Sequence, residues 1–213
     1  MKNSFLEKTT KRAAGTLALL LAATALAAET DATVAVPETD PLGCAVSLDL
    51  VYASATASAT RGGVDMAGLD VRIAREIDEN SRIDLGLLML GGEEDFYDDD
   101  LTSTSVALLG GYRATFDLVP DRLTLHAGAR LGLAVVGYVV DEGRAGGWDH
   151  YSSDSDLCLA YAGEVGFTFA FNEKWAVHGG YSYFGNTASV GGSALKFRDQ
   201  QYHLFSLGAE YRF

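Results

Sequence analysis

Six ionisable residues of this chain could form a buried ionic network: Asp70, Arg72, Arg130, Glu164, His178 and Glu210. Carboxylates and guanidinium groups persist in a poorly hydrated interior only when they pair, because burying an isolated charge is unfavourable. Arg130 and Glu164 stand at matching distances from the ends of two consecutive strand-like segments, so we expect them to form an ion pair. His178 and Glu210 match on the last two segments, which predicts a second pair. A polar plug that fills an interior is the first interpretation, and a gate that opens a narrow ion path when partners exchange is the alternative.

Two polar segments could bind something outside the fold. Residues 93–100 concentrate carboxylates, and hard cations take several oxygen ligands. The segment lacks the ligand spacing of a calcium loop, so we predict a solvated acidic tip and no metal site. Trp148, His150 and Tyr151 lie among Ser and Asp, a mixture that suits recognition surfaces. These three residues are a candidate surface-recognition loop, with packing of the loop on itself as the alternative.

The four histidines give no argument for catalysis. His126 and His178 share the parity of the charged positions, and His203 has no convincing partner in the pattern. His150 has two serines nearby, but no acid–His–Ser arrangement follows from that spacing. We therefore predict no catalytic residues, no cofactor and no enzymatic activity.

The segments that must position these residues read as β-strands. Apolar residues recur with period two, which places them on one face of each strand. No window after residue 27 shows a sustained helical period. Eight such segments occur, at about residues 46–52, 69–73, 83–89, 106–116, 123–135, 157–171, 175–183 and 205–213. The register of the first segment after Tyr52 is open, because a bulge there would switch its faces.

The opposite face of these strands carries glycines and charges together. Glycine weakens an ordinary strand, but on the inner face of a narrow barrel it leaves room for long charged side chains. The connections alternate between short ones (78–81, 118–122, 172–174) and longer ones (91–100, 141–156, 185–199), with 61–63 as the exception. Charges inside and apolar residues outside are the reverse of a soluble barrel with an apolar cup, so the pattern favours a membrane barrel.

The N-terminus reads as an export signal. Basic residues precede an Ala- and Leu-rich stretch that ends in Ala25-Leu26-Ala27, the small-x-small pattern of a cleavage site. We predict a signal peptide at residues 1–27, a disordered periplasmic lead-in at 28–43 and a barrel at 44–213. Cys44 and Cys158 should fall at opposite ends of the barrel, too far apart for a disulfide. The formal net charge of −13 argues against nucleic acid as a partner.

The last strand completes the pattern. Phe205, Leu207, Tyr211 and Phe213 share one face and end on an aromatic residue, which resembles the closing strand of bacterial outer-membrane β-barrels. With the signal, strand count and loop asymmetry, the chain resembles small eight-stranded barrels of the outer membrane protein A-like and X-like type over residues 44–213.

This resemblance implies an all-β, antiparallel up-and-down transmembrane barrel in the outer membrane, with short periplasmic turns and longer extracellular loops. It also implies that the barrel-assembly machinery reads the C-terminal strand, and that outer-membrane lipid surrounds the barrel. A non-enzymatic barrel that contributes to envelope structure or surface interaction is the leading hypothesis. A narrow, gated, porin-like channel and a lipid-modifying enzyme are the alternatives.

Overall fold

The computed structural model describes residues 43–56, 64–96, 99–120, 122–142, 150–191 and 196–213. In these ranges the chain forms the following strands: β1 (Cys44–Ala55), β2 (Met66–Asp78), β3 (Ser81–Phe96), β4 (Asp99–Val119), β5 (Leu123–Glu142), β6 (His150–Ala170), β7 (Trp175–Asn186), β8 (Ser189–Gly191), β9 (Lys196–Arg198) and β10 (Gln201–Arg212). Within the same ranges, no helix has the length and hydropathy needed to cross a membrane.

Eight of these strands close into one antiparallel barrel. Its order is β1-β10-β7-β6-β5-β4-β3-β2, with β1 pairing to β2 on one side and to β10 on the other. The predicted eight-stranded up-and-down barrel is therefore confirmed. The strand ladder of β1 and β10 runs unbroken from Ala45 to Ala55, so no bulge interrupts the first strand after Tyr52.

Side chains alternate between the two surfaces of the barrel, except at the register shifts near Asp78 on β2 and Val119 on β4. On β5, Arg130 is 4% exposed and points into the lumen, whereas its neighbour Leu131 is 66% exposed on the outer wall. The same alternation on the other strands covers the outer wall with Leu, Val, Ile and aromatic side chains. This wall is what a lipid-facing surface requires.

Several strands extend further outward than the sequence pattern predicts. The β3–β4 ladder continues to the pair Phe96–Asp99, and the β5–β6 ladder continues to Glu142–His150. Both stretches belong to predicted loops. Their Ser, Thr and Asp residues carry no apolar alternation, so the period-two signal stops where the apolar wall ends while the backbone pairing continues.

A small two-stranded sheet, β8–β9, also lies inside a predicted loop. Its flanks are tied to the barrel: Thr187 N donates to Leu159 O (2.9 Å), and Ser189 N donates to Asp156 Oδ2 (2.8 Å). Asp199 has φ of 48°, the left-handed conformation that turns the chain from β9 into β10. The sheet therefore sits against the outer end of β6.

Candidate functional site

The inner wall of the barrel brings the predicted polar residues together. Asp70 and Arg72 alternate on β2 with outward apolar residues, and Arg130, Glu164, His178 and Glu210 alternate likewise on their own strands. All six are at least nine-tenths buried. Inward glycines make the space: a Cβ on Gly166 would lie 2.6 Å from His126 Nε2, and one on Gly86 would collide with the Arg130 guanidinium.

Glu164 is held by two arginines. Arg72 Nη1 donates to Glu164 Oε2 at 2.8 Å, and Arg113 Nε donates to Glu164 Oε1 at 2.9 Å. Both carboxylate oxygens thus receive a charge-assisted hydrogen bond, and these are the stronger class of hydrogen bond. The contacts cross the lumen from β2 and β4 to β6.

Arg130 belongs to the other half of the same cluster. Its Nη1 donates to Asp70 Oδ2 at 2.7 Å, and its Nε lies 3.3 Å from Asp84 Oδ1. Arg72 Nε also donates to Asp70 Oδ2, at 2.9 Å. Asp70 therefore links two arginines from different walls of the barrel.

The expected direct pair between Arg130 and Glu164 is not among the ion pairs of the described residues. Their strands are neighbours, but the register sets Glu164 opposite Gly128 and Arg130 opposite Ala162. A guanidinium group on its long stem can reach across a lumen only wide enough for side chains. Strand adjacency therefore does not decide its partner, and Arg130 binds Asp70 on the far wall.

Nearer the short-turn rim, the second predicted pair is also replaced by other contacts. His178 Nε2 contacts Asp49 Oδ1, and Glu210 receives Arg212 Nε at 2.8 Å and Arg82 Nη1 at 3.2 Å. Asp49 and Arg82 are residues that the sequence analysis missed. Asp49 stands between Leu48 and Leu50 on β1, so its inward parity was a usable signal.

The outer half of the lumen is mainly apolar, with Ser103, Ser105 and Asn186 buried among apolar side chains, which corrects the expectation of a polar lumen throughout. Phe184 and Val136 are fully buried there, together with inward residues of all the other barrel strands. Ala188 and Val190, beside and within β8, are also fully buried in this cluster. We call the cluster the apolar plug. It consists of Val51, Ala53, Val64, Met66, Leu88, Leu90, Leu101, Ala107, Leu109, Ala134, Val136, Tyr138, Cys158, Ala160, Ala162, Phe184, Ala188, Val190, Tyr202 and Leu204.

The lumen therefore has two compartments along its axis. The ionic cluster, formed by the contacts of Glu164, Arg130 and Asp70 described above, lies toward the short-turn rim, and the apolar plug lies toward the outer end. Interiors packed like this hold few voids larger than a water molecule. A cavity of about 170 Å³ lies at the short-turn rim, lined by Arg82, Arg122 and Arg212 with acidic and threonine neighbours. This vestibule lies beside the ionic cluster, on the side away from the plug.

The remaining residues that the sequence analysis named have separate outcomes. Trp148 lies outside the described residues, and the backbone of His150 and Tyr151 begins β6. His203 does have a partner: its Nδ1 lies 2.6 Å from Tyr181 Oη on the outer wall. Cys158 is buried and forms no disulfide with Cys44.

The C-terminal residues line the outer wall near the short-turn rim. Phe213 is exposed there, Phe205 and Leu207 are exposed higher on the same wall, and the Tyr211 ring lies 4.9 Å from that of Trp175 and 5.1 Å from that of Phe213. These edge-to-face contacts form an aromatic cluster beside the β1–β10 closure.

Comparison with known proteins agrees with this architecture. A family model described as "Outer membrane protein beta-barrel domain" matches residues 15–213. No curated protein gives a significant sequence match.

Solved structures share the fold at low sequence identity. Ail, the attachment invasion locus protein of Yersinia pestis, is 16% identical with a TM-score of 0.57, covering 81% of this chain and 99% of Ail. Neisserial surface protein A is 19% identical with a TM-score of 0.56, covering 80% and 97%. A structure of Ail in complex with the heparin analogue sucrose octasulfate is 14% identical with a TM-score of 0.55, covering 80% and 98%.

Proposed function

Because this chain belongs to the outer membrane protein β-barrel family, we propose that it is a non-conducting, non-enzymatic barrel that contributes to envelope structure and presents its outer strands to the exterior. The observation that carries the proposal is the filled lumen. An ionic cluster and an apolar plug follow one another along its axis, so a hydrated ion meets two barriers of different chemistry.

The apolar plug is the stronger of these barriers. An ion that enters it loses its hydration shell among mainly apolar side chains, where the few buried polar groups, such as those of Ser105, Tyr138 and Asn186, cannot replace that shell, and this loss costs several kcal/mol or more. Exchange of partners within the ionic cluster, the basis of the gated-channel alternative, leaves this upper barrier in place. The plug thus favours a closed barrel over a narrow channel.

Planar-bilayer conductance tests this proposal. We expect no discrete openings from the wild-type barrel or from Arg130→Ala, with Leu131→Ala on the outer wall as the matched control. Openings of defined size in the wild type would refute a closed barrel. Openings in Arg130→Ala alone would show that the ionic cluster is the gate.

Absence of enzymatic activity is supported by the position of two of the histidines, whereas His203 lies on the outer wall with its Nδ1 2.6 Å from Tyr181 Oη. His126 and His178 lie inside the barrel among arginines and carboxylates, where a membrane lipid cannot reach them. Mass analysis of outer-membrane lipid with and without the protein checks this point, and a lipid species that appears only with the protein would contradict it.

Exterior contacts of this chain should differ from those of Ail with the heparin analogue. Residues 93–100 carry six carboxylates, so a sulfated sugar meets like charge. We propose that the outer strands, with Trp148, His150 and Tyr151, bind neutral or cationic partners. The test compares how much of a neutral or cationic partner binds to cells that express the full protein and to cells that express it without residues 143–149. Equal binding to the two kinds of cell would contradict the proposal.

Assembly of the barrel is proposed to depend on Phe205, Leu207, Tyr211 and Phe213, which the barrel-assembly machinery would read. Deleting Phe213 should lower the amount of heat-modifiable, folded protein in the outer membrane. The control is Phe171→Ala, which removes an exposed aromatic at the same rim from another strand.

A further inference from the structure

The apolar part of the outer wall is longest on β5 and β6. Every outward residue of β5 from Leu123 to Val139 is apolar, a stretch of 17 residues. On β10, the corresponding stretch from Phe205 to Phe213 is 9 residues. A tilted transmembrane strand needs about 9–11 residues, so the β5 stretch exceeds the span of a bilayer.

The excess lies at the outer end. The register around the barrel gives the tilt of its strands. Stepping from each residue to its paired partner, starting at Tyr52, reaches Ser155 on β6 by way of β2 and Val165 on β6 by way of β10. The two end points are ten residues apart, and this offset is the shear of the barrel. With eight strands this corresponds to a tilt of about 40°, so each residue climbs about 2.5 Å and each strand step about 3 Å. Val135 then lies about 8 Å and Leu157 about 11 Å above Tyr52.

Tyr52 marks the outer edge of the lipid-facing band on the other side of the barrel. Tyr183 and His203, on β7 and β10, lie at nearly the same height by the same register. Aromatic residues of this kind gather at the membrane–water interface. The bottom of the band is level around β5, β6, β7 and β10, because Leu123, Phe171, Trp175 and Phe213 all lie at the short-turn rim. The β5–β6 wall is therefore longer at its outer end, rather than shifted as a whole.

We call the apolar surface around Val135 and Leu157 the extension, and it is continuous with the lipid-facing wall below it. Val106, Val135 and Leu157 are direct neighbours in one row across β4, β5 and β6, and the next row down is Leu108, Leu133 and Leu159. Val135 is 50% exposed and Leu157 is 67% exposed. No charged side chain interrupts these two rows.

We propose that lipid acyl chains cover this extension, so that the hydrocarbon layer is thicker beside β4–β6 than around the rest of the barrel. A bilayer deforms at a cost of fractions of a kcal/mol per Å to cover excess apolar length. Leaving the same surface exposed to water costs about 25 cal/mol of free energy for each Å² of apolar area. Lipid is the occupant because the extension prolongs, without a break, a surface that already faces lipid.

Site-directed fluorescence tests the proposal. Single cysteines at Val135, Leu157, Ser155 and Gln201, in a Cys44→Ala, Cys158→Ala background, carry an environment-sensitive dye in phospholipid vesicles. Ser155 is the control on the same face of β6, in the row directly above Leu157, where β6 becomes polar. Gln201 is the control at the height of Val135 on the far wall. A gel shift on heating shows that each labelled barrel is folded.

We expect dyes at positions 135 and 157 to be quenched by acyl-chain nitroxides and shielded several-fold from aqueous iodide. Dyes at 155 and 201 should show the reverse. Iodide access at 135 and 157 equal to that at 201 would overturn the proposal. Protection from both quenchers would also overturn it, because a protein cover such as a second copy of the chain would then replace lipid.

A second measurement uses bilayer thickness. The wild type should gain stability when acyl chains are lengthened, and the double variant Val135→Ser, Leu157→Ser should lose that dependence. Leu50→Ser, which changes an exposed leucine inside the band, should lower stability at every thickness and keep the wild-type slope. Equal slopes for all three proteins would contradict the proposal.

Discussion

Glu164→Gln is the sharpest test of the ionic cluster. The change keeps the size of the side chain but removes the negative charge that receives hydrogen bonds from Arg72 at 2.8 Å and Arg113 at 2.9 Å. Removing one partner of a buried ion pair costs about 3–5 kcal/mol. Arg72 keeps Asp70 at 2.9 Å, and Arg113 keeps a looser contact with Asp84 at 3.6 Å. We therefore expect the lower end, about 3 kcal/mol, or roughly a hundredfold in the unfolding equilibrium.

Urea unfolding of the barrel in lipid vesicles, followed by tryptophan fluorescence, measures this loss. The matched control is Glu93→Gln, the same chemical change at an exposed position of β3, where we expect a change within about 0.5 kcal/mol. If the two variants unfold at the same urea concentration, the ionic cluster does not stabilise the fold and the reasoning about paired buried charge fails.

Three further predictions concern other parts of the molecule. Phe184→Ala should destabilise the barrel by about 3–5 kcal/mol in the same urea assay, because it empties the centre of the apolar plug. Gly208→Ala should strongly reduce the heat-modifiable, folded fraction on a gel, because the added Cβ would overlap the carboxylate of Asp49 and the backbone of β1. The 2.7 Å hydrogen bond from Tyr52 Oη lowers the pKa of Asp65, so Tyr52→Phe should raise that pKa in an NMR titration. Since the folded-state pKa is the lower one, the stabilisation exists above the unfolded pKa of about 3.9 and disappears as the pH falls through the folded value.

Each of these has a control in the chain. Phe205→Ala removes an exposed phenylalanine from the outer wall and should cost less than Phe184→Ala. Gly91→Ala adds a Cβ where nothing lies within 4 Å and should leave folding unchanged. Tyr112→Phe, an exposed tyrosine on another strand, should leave the pKa of Asp65 where it is. Equal effects of a variant and its control would contradict the corresponding contact.

The barrel itself was accessible from sequence because its two walls face different media. Where the inner wall is polar, alternation assigns each residue to a face, as with Arg130 and Leu131 on β5. The last strand could be identified as a closing strand because its apolar face alternates up to the aromatic Phe213. The up-and-down topology was implied by the resemblance to outer-membrane barrels that these local signals support.

The apolar plug was not accessible by the same argument. In the segment Leu87-Leu88-Met89-Leu90, inward and outward residues are both apolar, so alternation gives no sign of which residues are buried in the plug. Outward extension of β3 and β6 was missed for the opposite reason, since both faces are polar there. Alternation is informative only where the two faces differ.

Ion partners could not be predicted either, because they depend on distances across the lumen. Glu164 and Arg113 are 51 positions apart in the chain, and their contact follows from barrel diameter and strand stagger. Sequence identified which charges point inward but could not choose among several acceptors at similar height. Asp49 is the instructive omission, since one carboxylate between leucines on β1 carried the same parity signal as the others.

The outer half of β3, which is apolar on both of its faces, affects the chain before the barrel has folded. During transit of the periplasm, Leu87, Leu88, Met89 and Leu90 have neither plug nor lipid to cover them, and they form an uncharged run of high hydrophobicity. Such runs promote aggregation while a chain waits to fold. The packing that fills the finished barrel therefore leads us to expect that its precursor needs a holding chaperone, and the yield of folded protein should fall when periplasmic chaperones are depleted.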